Sequence, residues 1–206
     1  MRLSRPAAAG LAVLGIALIL VGPPLYASLR GTAKPAAARV APAAAKGPRT
    51  VFPEGRLPRL TRADGTRRTV LSLLNAPARM TYGQFVWNDK DVPAGETWVR
   101  VDLGRQMLSV FRGGHEIGTS VILYGADEKK TPLGDFPILA KSKDHRSSTY
   151  DAAMPYTLRL TADGVAIHGS DVREGAATHG CIGVPLAFAE HLFASAAKGD
   201  VVTILP

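Results

Sequence analysis

The chain has 206 residues, a formal charge of +8 and one cysteine. That excludes a disulfide-stapled mini-domain and is short for two complete enzymes. Residues 1–68 hold twelve Lys/Arg against two Asp/Glu, whereas residues 69–206 hold thirteen against fifteen. The basicity therefore belongs to the N-terminal third, and nucleic acid is not the partner this charge points to.

Met1-Arg2-Leu3-Ser4-Arg5 is followed by a stretch without charge from Pro6 to Leu29. Residues 1–29 read as a signal peptide or a signal anchor, and both export the remainder of the chain. The apolar run Ala7–Ser28 is about as long as a membrane span, which favours the anchor. Against it, Pro23-Pro24 interrupts the run, and the small residues of Tyr26-Ala27-Ser28 suit a peptidase. Residues 30–50 are a basic Ala/Pro-rich linker without apolar side chains to build a core. Such a segment either lies against anionic lipid or wall polymer or is simply solvated.

Residues 51–96 form an intermediate segment. Asp64-Gly65-Thr66 followed by Val70, Leu71, Leu73 and Leu74 predicts a short capped helix ending near Asn75. Tyr82, Phe85, Val86 and Trp87 supply aromatic and apolar groups to dock it. From Thr97 the texture changes to short alternating runs, which predict a β-rich domain, all-β to α+β, over residues 97–206. Trp98–Leu103 and Met107–Phe111 flank a turn at Gly104-Arg105-Gln106. Further strands are expected at Ile117–Tyr124, Phe136–Ala140, Tyr156–Leu160, Val165–His168 and Val201–Leu205. The run Lys141–Arg146, with His145, reads as a polar loop. One late helix starts at Pro185, presents Leu186, Phe188, Ala189, Leu192, Phe193 and Ala196, and stops at Gly199.

The chemistry concentrates at Thr178-His179-Gly180-Cys181, ten residues after His168-Gly169. An exported thiol with no intramolecular partner is an inert buried group, a metal ligand or a nucleophile. His-x10-His-x-Cys matches no common zinc spacing and no CxxC pair exists. A glycine-containing loop holding the thiol, with a histidine at the end of an apolar strand, suits a nucleophile and its base. Gly180 gives the backbone freedom to admit a substrate, and the amides around it are candidates for an oxyanion site.

At these residues the chain resembles the L,D-transpeptidase catalytic domain, the YkuD family, which pairs a His-Gly motif with a Ser/Thr-His-Gly-Cys motif. The likeness extends to Val101-Asp102-Leu103 with Gln106, Leu108 and Val110, and to Thr131-Pro132-Leu133-Gly134-Asp135-Phe136. It continues through Met154-Pro155-Tyr156 and the closing run Gly199–Ile204, so it covers roughly residues 97–205. The resemblance implies a mixed β-sheet sandwich with one late helix. Cys181 would attack the carbonyl of the third residue of a peptidoglycan stem tetrapeptide. His168 would take the thiol proton, the Gly169 carbonyl would orient His168, and His179 and Gly180 would line the oxyanion region. An amine on a second stem would resolve the thioester, without metal or cofactor.

The implied partners are peptidoglycan stem peptides and, if the leader is uncleaved, the membrane. Thr178, Arg173, Tyr124 and Tyr156 are the candidate substrate-binding residues, with core packing the alternative for both tyrosines. One departure stands out. The family usually places an arginine or similar polar residue two after the cysteine, and here that residue is Gly183. Arg173, Lys141 and Arg146 are candidates to replace its charge. An L,D-carboxypeptidase, another exported thiol hydrolase and a silent wall-binding module of the same fold are the alternatives.

Overall fold

The structure is a computed structural model that describes residues 49–126 and 129–206. The expected apolar leader and most of the linker lie outside the described residues. Among the described residues no helix is long and apolar enough to cross a membrane.

Two sheets enclose one main core. The larger is built on the hairpin of β6 (Thr97–Asp102) and β7 (Met107–Arg112), with Trp98 opposite Phe111 and Val101 opposite Leu108. Its turn closes where Gln106, at φ +58°, donates its amide to the Leu103 carbonyl at 3.1 Å. Asp102 Oδ1 accepts from the Arg105 amide at 2.9 Å. β8 (His115–Val121) continues the meander, and β14 (Val201–Leu205) runs parallel to β6 on the other side. β9 (Gly134–Pro137) closes that edge.

The segment before Thr97 extends this sheet. β4 (Ser72–Leu74) pairs with the start of β8 and β5 (Phe85–Trp87) with its end, while β1 (Arg49–Val51) lies outside β4. Arg49 fastens β1 by donating to Ser72 Oγ, the Glu116 carbonyl and the Asn88 carbonyl. Burial pushes the Glu116 carboxyl up, and its Oε2 accepts from the Leu74 amide at 2.9 Å. β2 (Arg59–Thr61) and β3 (Arg67–Thr69) form a separate hairpin.

The smaller sheet is β10 (Ala140–Arg146), β11 (Ala153–Arg159), β12 (Ala166–Ser170) and β13 (Ile182–Pro185), antiparallel except for the β12/β13 pair. Helix α1 (Leu186–Ser195) follows β13 directly, with Pro185 as its N-cap. Leu158, Ile167, Ile182 and Val184 face Val99, Val101, Leu108 and Ile117 across the core. Each such buried side chain contributes about 1.5–3 kcal/mol relative to exposure. Phe188 of α1 meets Phe85 and Trp87 edge-on, with ring centroids 5.6 and 5.4 Å apart. Gly118 makes room for this cluster, since a Cβ there would lie 2.3 Å from the Trp87 ring.

Several expectations need correction. The helix read over 64–75 is absent, and the segment instead forms β3 and β4. Val70, Ser72 and Leu74 are buried while Leu71 and Leu73 are only half-buried, which is a period of two. Asp64 still acts locally, accepting from the Thr66 amide at 2.9 Å, but as a turn residue rather than a helix cap. The strand expected at Phe136–Ala140 is broken between the two sheets: Ile138 donates to the Asp200 carbonyl and Leu139 to the Arg159 carbonyl.

The supposed polar loop at Lys141–Arg146 is part of β10. It carries no apolar alternation because one face lines a polar cavity and the other meets solvent. The late helix ends at Ser195, earlier than Gly199, where Lys141 Nζ donates to the carbonyls of Phe193 and Ala196.

Candidate active site

β12 puts Ile167 into the core and Ala166, His168 and Ser170 on the opposite face. In the parallel pair with β13, Ile167 stands beside Ile182 and His168 beside Gly183. Continued one step back, this register sets Cys181 beside Ala166. Cys181 and His168 thus come from adjacent strands onto one face of the sheet, diagonally related. Both line a cavity of about 680 Å³.

The loop that carries Cys181 is held along residues 123–126. Leu123 and Gly183 exchange amide-to-carbonyl bonds of 2.8 and 2.9 Å, and the Thr178 amide donates to the Tyr124 carbonyl at 3.0 Å. The Thr178 hydroxyl donates to the Cys181 carbonyl at 2.5 Å, closing the turn. Gly180, buried at φ +97°, takes a conformation that side chains resist.

Gly125 lets the two segments approach. A Cβ on it would lie 2.2 Å from the Lys129 carbonyl oxygen and 2.8 Å from the backbone N and Cα of Gly180. The Gly125 amide donates to the hydroxyl of buried Thr131 at 2.9 Å. That bond gives the Thr131-Pro132 element a physical role, bracing the segment on which the cysteine loop rests.

His168 Nδ1 lies 3.0 Å from the Gly169 carbonyl oxygen. A carbonyl only accepts, so Nδ1 carries the proton and Nε2 is left as the acceptor of the neutral ring. Burial holds the His168 pKa below its ordinary 6.5; the Gly169 bond opposes this, and the charge of His145 adds to it. Burial also pushes the Cys181 thiol above its ordinary 9.0, against the Ala166 amide and Lys129, with Asp163 reinforcing the rise. Its Sγ donates weakly to the Gly164 carbonyl at 3.8 Å. At neutral pH the resting pair is therefore thiol and imidazole, not thiolate and imidazolium.

This arrangement sits inside a sequence match to the family model YkuD, L,D-transpeptidase catalytic domain, over residues 96–204. The chain belongs to the YkuD L,D-transpeptidase family. Among solved structures, an L,D-transpeptidase from Stackebrandtia nassauensis is 24% identical with a TM-score of 0.51, over 55% of this chain and 57% of that one. A cysteine-to-serine mutant of an Enterococcus faecium L,D-transpeptidase is 25% identical with a TM-score of 0.50, over 54% and 50% respectively. One from Mycobacterium smegmatis is 21% identical at 0.50, over 54% and 59%. The chain spans between half and three-fifths of the length of these proteins. No curated protein sequence matches it.

Within this L,D-transpeptidase domain the cavity gathers His168, Thr178, His179 and Cys181. The exposed His179 ring stacks on Tyr150 at 4.3 Å, so the β10–β11 connection reaches over the site. Other residues singled out in the sequence lie elsewhere. Tyr124 is half-buried against the main core. Tyr156, at φ +56°, turns away to Phe193 and donates its hydroxyl to Glu190 at 2.9 Å.

Of the suggested replacement cations, Arg173 pairs with Asp171 at 3.2 Å outside the cavity. Arg146 pairs with Asp151 at 2.6 Å, and the Lys141 ammonium is taken by the end of α1. Sequence reasoning missed two cavity cations, Lys129 and Arg159. It also missed Gly125, whose constraint comes from residues far apart in the chain. At Gly183 a Cβ would lie 2.9 Å from Ser170 Cβ and 3.4 Å from Leu123 Cβ. The space of the family's usual side chain is filled by neighbours. Among the described residues no group of three or more His, Cys, Asp or Glu could hold a metal ion.

Proposed function

We propose that this chain is a peptidoglycan L,D-transpeptidase working outside the cytoplasm, with Cys181 as nucleophile and His168 as base. The observation that carries the reading is the His168 ring, fixed through Nδ1 to Gly169, with Nε2 unprotonated in the same cavity as the thiol. Nε2 takes the Sγ proton as sulfur attacks the carbonyl of the third residue of a stem tetrapeptide. The oxyanion is met by amides around Gly180 and Cys181, beside His179. As the tetrahedral intermediate collapses, the C–N bond to the terminal D-Ala breaks, and His168 returns the proton to the leaving amine.

The thioester is resolved by an amine of a second stem, which forms an amide and regenerates the thiol. Water in its place gives a carboxypeptidase. The apolar leader at residues 7–28 supports export, with or without retention at the membrane. Thr178 supports the reading as a brace for the cysteine loop.

Product analysis tests it. With a stem tetrapeptide and an acceptor amine, the chain is expected to release D-Ala and form the cross-linked product. Release of D-Ala without amide formation at any acceptor concentration would indicate hydrolysis, and no release would defeat the reading.

The two pKa directions predict a pH dependence. Because His168 titrates below 6.5, acylation is expected to rise through that lower range and run flat across neutrality. Alkylation of Cys181 by iodoacetamide needs the thiolate, so its rate is expected to keep climbing to pH 9 and beyond. A neutral-pH plateau in alkylation would instead reveal a preformed thiolate–imidazolium pair.

A further inference from the structure

We propose that Arg159 is a carboxylate anchor for the acyl donor, taking the place of the side chain that Gly183 lacks. This rests on the reading of the chain as an acyltransferase acting on anionic peptides. Ala140 of β10 stands opposite Arg159 of β11, and Arg159 stands opposite Ala166 of β12. Cys181 follows beside Ala166 when the β12/β13 register is continued. Residues paired across neighbouring strands share a face, so Ala140, Arg159, Ala166 and Cys181 form one row, and all four line the cavity.

Arg159 is thus two strands from the nucleophile, about 10 Å between backbones. The residue between them is alanine, as is the one beyond Arg159, so no bulky side chain in the row separates the guanidinium from the thiol. Arg159 is exposed and makes no side-chain hydrogen bond or ion pair with a described residue. The other cations differ. Lys129 has its ammonium 3.8 Å from Asp163 and its stem packed on Gly180, and Lys141 caps α1.

A guanidinium held on a strand suits bidentate recognition of a carboxylate. With about 10 Å between the Arg159 and Cys181 backbones, this placement suits a carboxylate on the residue preceding the acylated one. The leaving residue's own carboxylate lies only three bonds from the attacked carbonyl. Arg159 therefore selects donors by a charge remote from the bond that breaks.

The test uses the full-length chain and two synthetic stem tetrapeptides. They differ only in whether the residue before the acylated one carries a free carboxylate or its carboxamide. Binding is measured by calorimetry on Cys181→Ala and on Cys181→Ala with Arg159→Gln. Arg159→Gln is expected to weaken the free-acid peptide by about tenfold and to change the amide by less than about twofold, with Arg159→Lys intermediate. Equal losses for both peptides, no loss for either, or no binding of either peptide to Cys181→Ala would overturn the proposal. Thioester formation on the Cys181-containing chain, followed separately by intact mass, reports on the catalytic reading independently. An unchanged iodoacetamide rate in Arg159→Gln would show the site intact, so the affinity change belongs to the guanidinium.

Discussion

Replacing His168 by alanine is expected to slow acylation of Cys181 by about 10²–10⁴-fold, the range over which a positioned base contributes. The size follows from the resting state. Burial holds the thiol protonated, so no standing thiolate is available to attack without a base. Nε2 of His168 is the acceptor of a ring whose other nitrogen is committed to Gly169. His145 and His179 also line the cavity, but both are exposed, and His179 is stacked on Tyr150. Single-turnover mass spectrometry with a donor in excess measures the acylation rate. A loss under about tenfold would mean that another group takes the proton.

Gly125→Ala is expected to rank next. Its Cβ would enter backbone, not the end of a flexible side chain, with contacts of 2.2 Å to the Lys129 carbonyl and 2.8 Å to Gly180. Something must move, and the Gly180–Cys181 turn is the neighbour at stake. Overpacking of this kind costs about 1–3 kcal/mol of stability, which thermal unfolding would register as a fall of a few degrees in Tm. A displacement of the nucleophile by about 1 Å costs on the order of 100-fold in rate. Acylation is therefore expected to fall far more than stability. An alanine variant with unchanged acylation would show that the close approach of these two segments does not position Cys181.

Much of the fold could be read from alternation. The β6/β7 hairpin alternates on either side of its turn residues, β12 and β14 fall on short apolar runs, and α1 has an apolar stripe starting at a proline. These signals are local, and the structure follows them. The site motif was legible for the same reason, since His168-Gly169 and Thr178–Cys181 lie within fourteen residues of each other.

What escaped was set by distant contacts. Val70 to Leu74 looked helical because five apolar or small residues in a row fit either period. Their pairing with β8 decides the matter. β10 looked like a loop because its inward face meets a polar cavity. Arg159 reads as an ordinary polar strand position until the register of three strands sets it in the row of Cys181. Gly183 looked like a missing function, whereas Ser170 and Leu123 leave no space for a side chain there.

The nucleophile is the claim on which the rest depends. Intact-mass measurement after incubation with a carbapenem, a strained acyl donor that needs no acceptor, tests it directly. A single covalent adduct mapping to Cys181 is expected on the wild type, and none on Cys181→Ala. A wild type that stays unmodified, or the same adduct on Cys181→Ala, would contradict it.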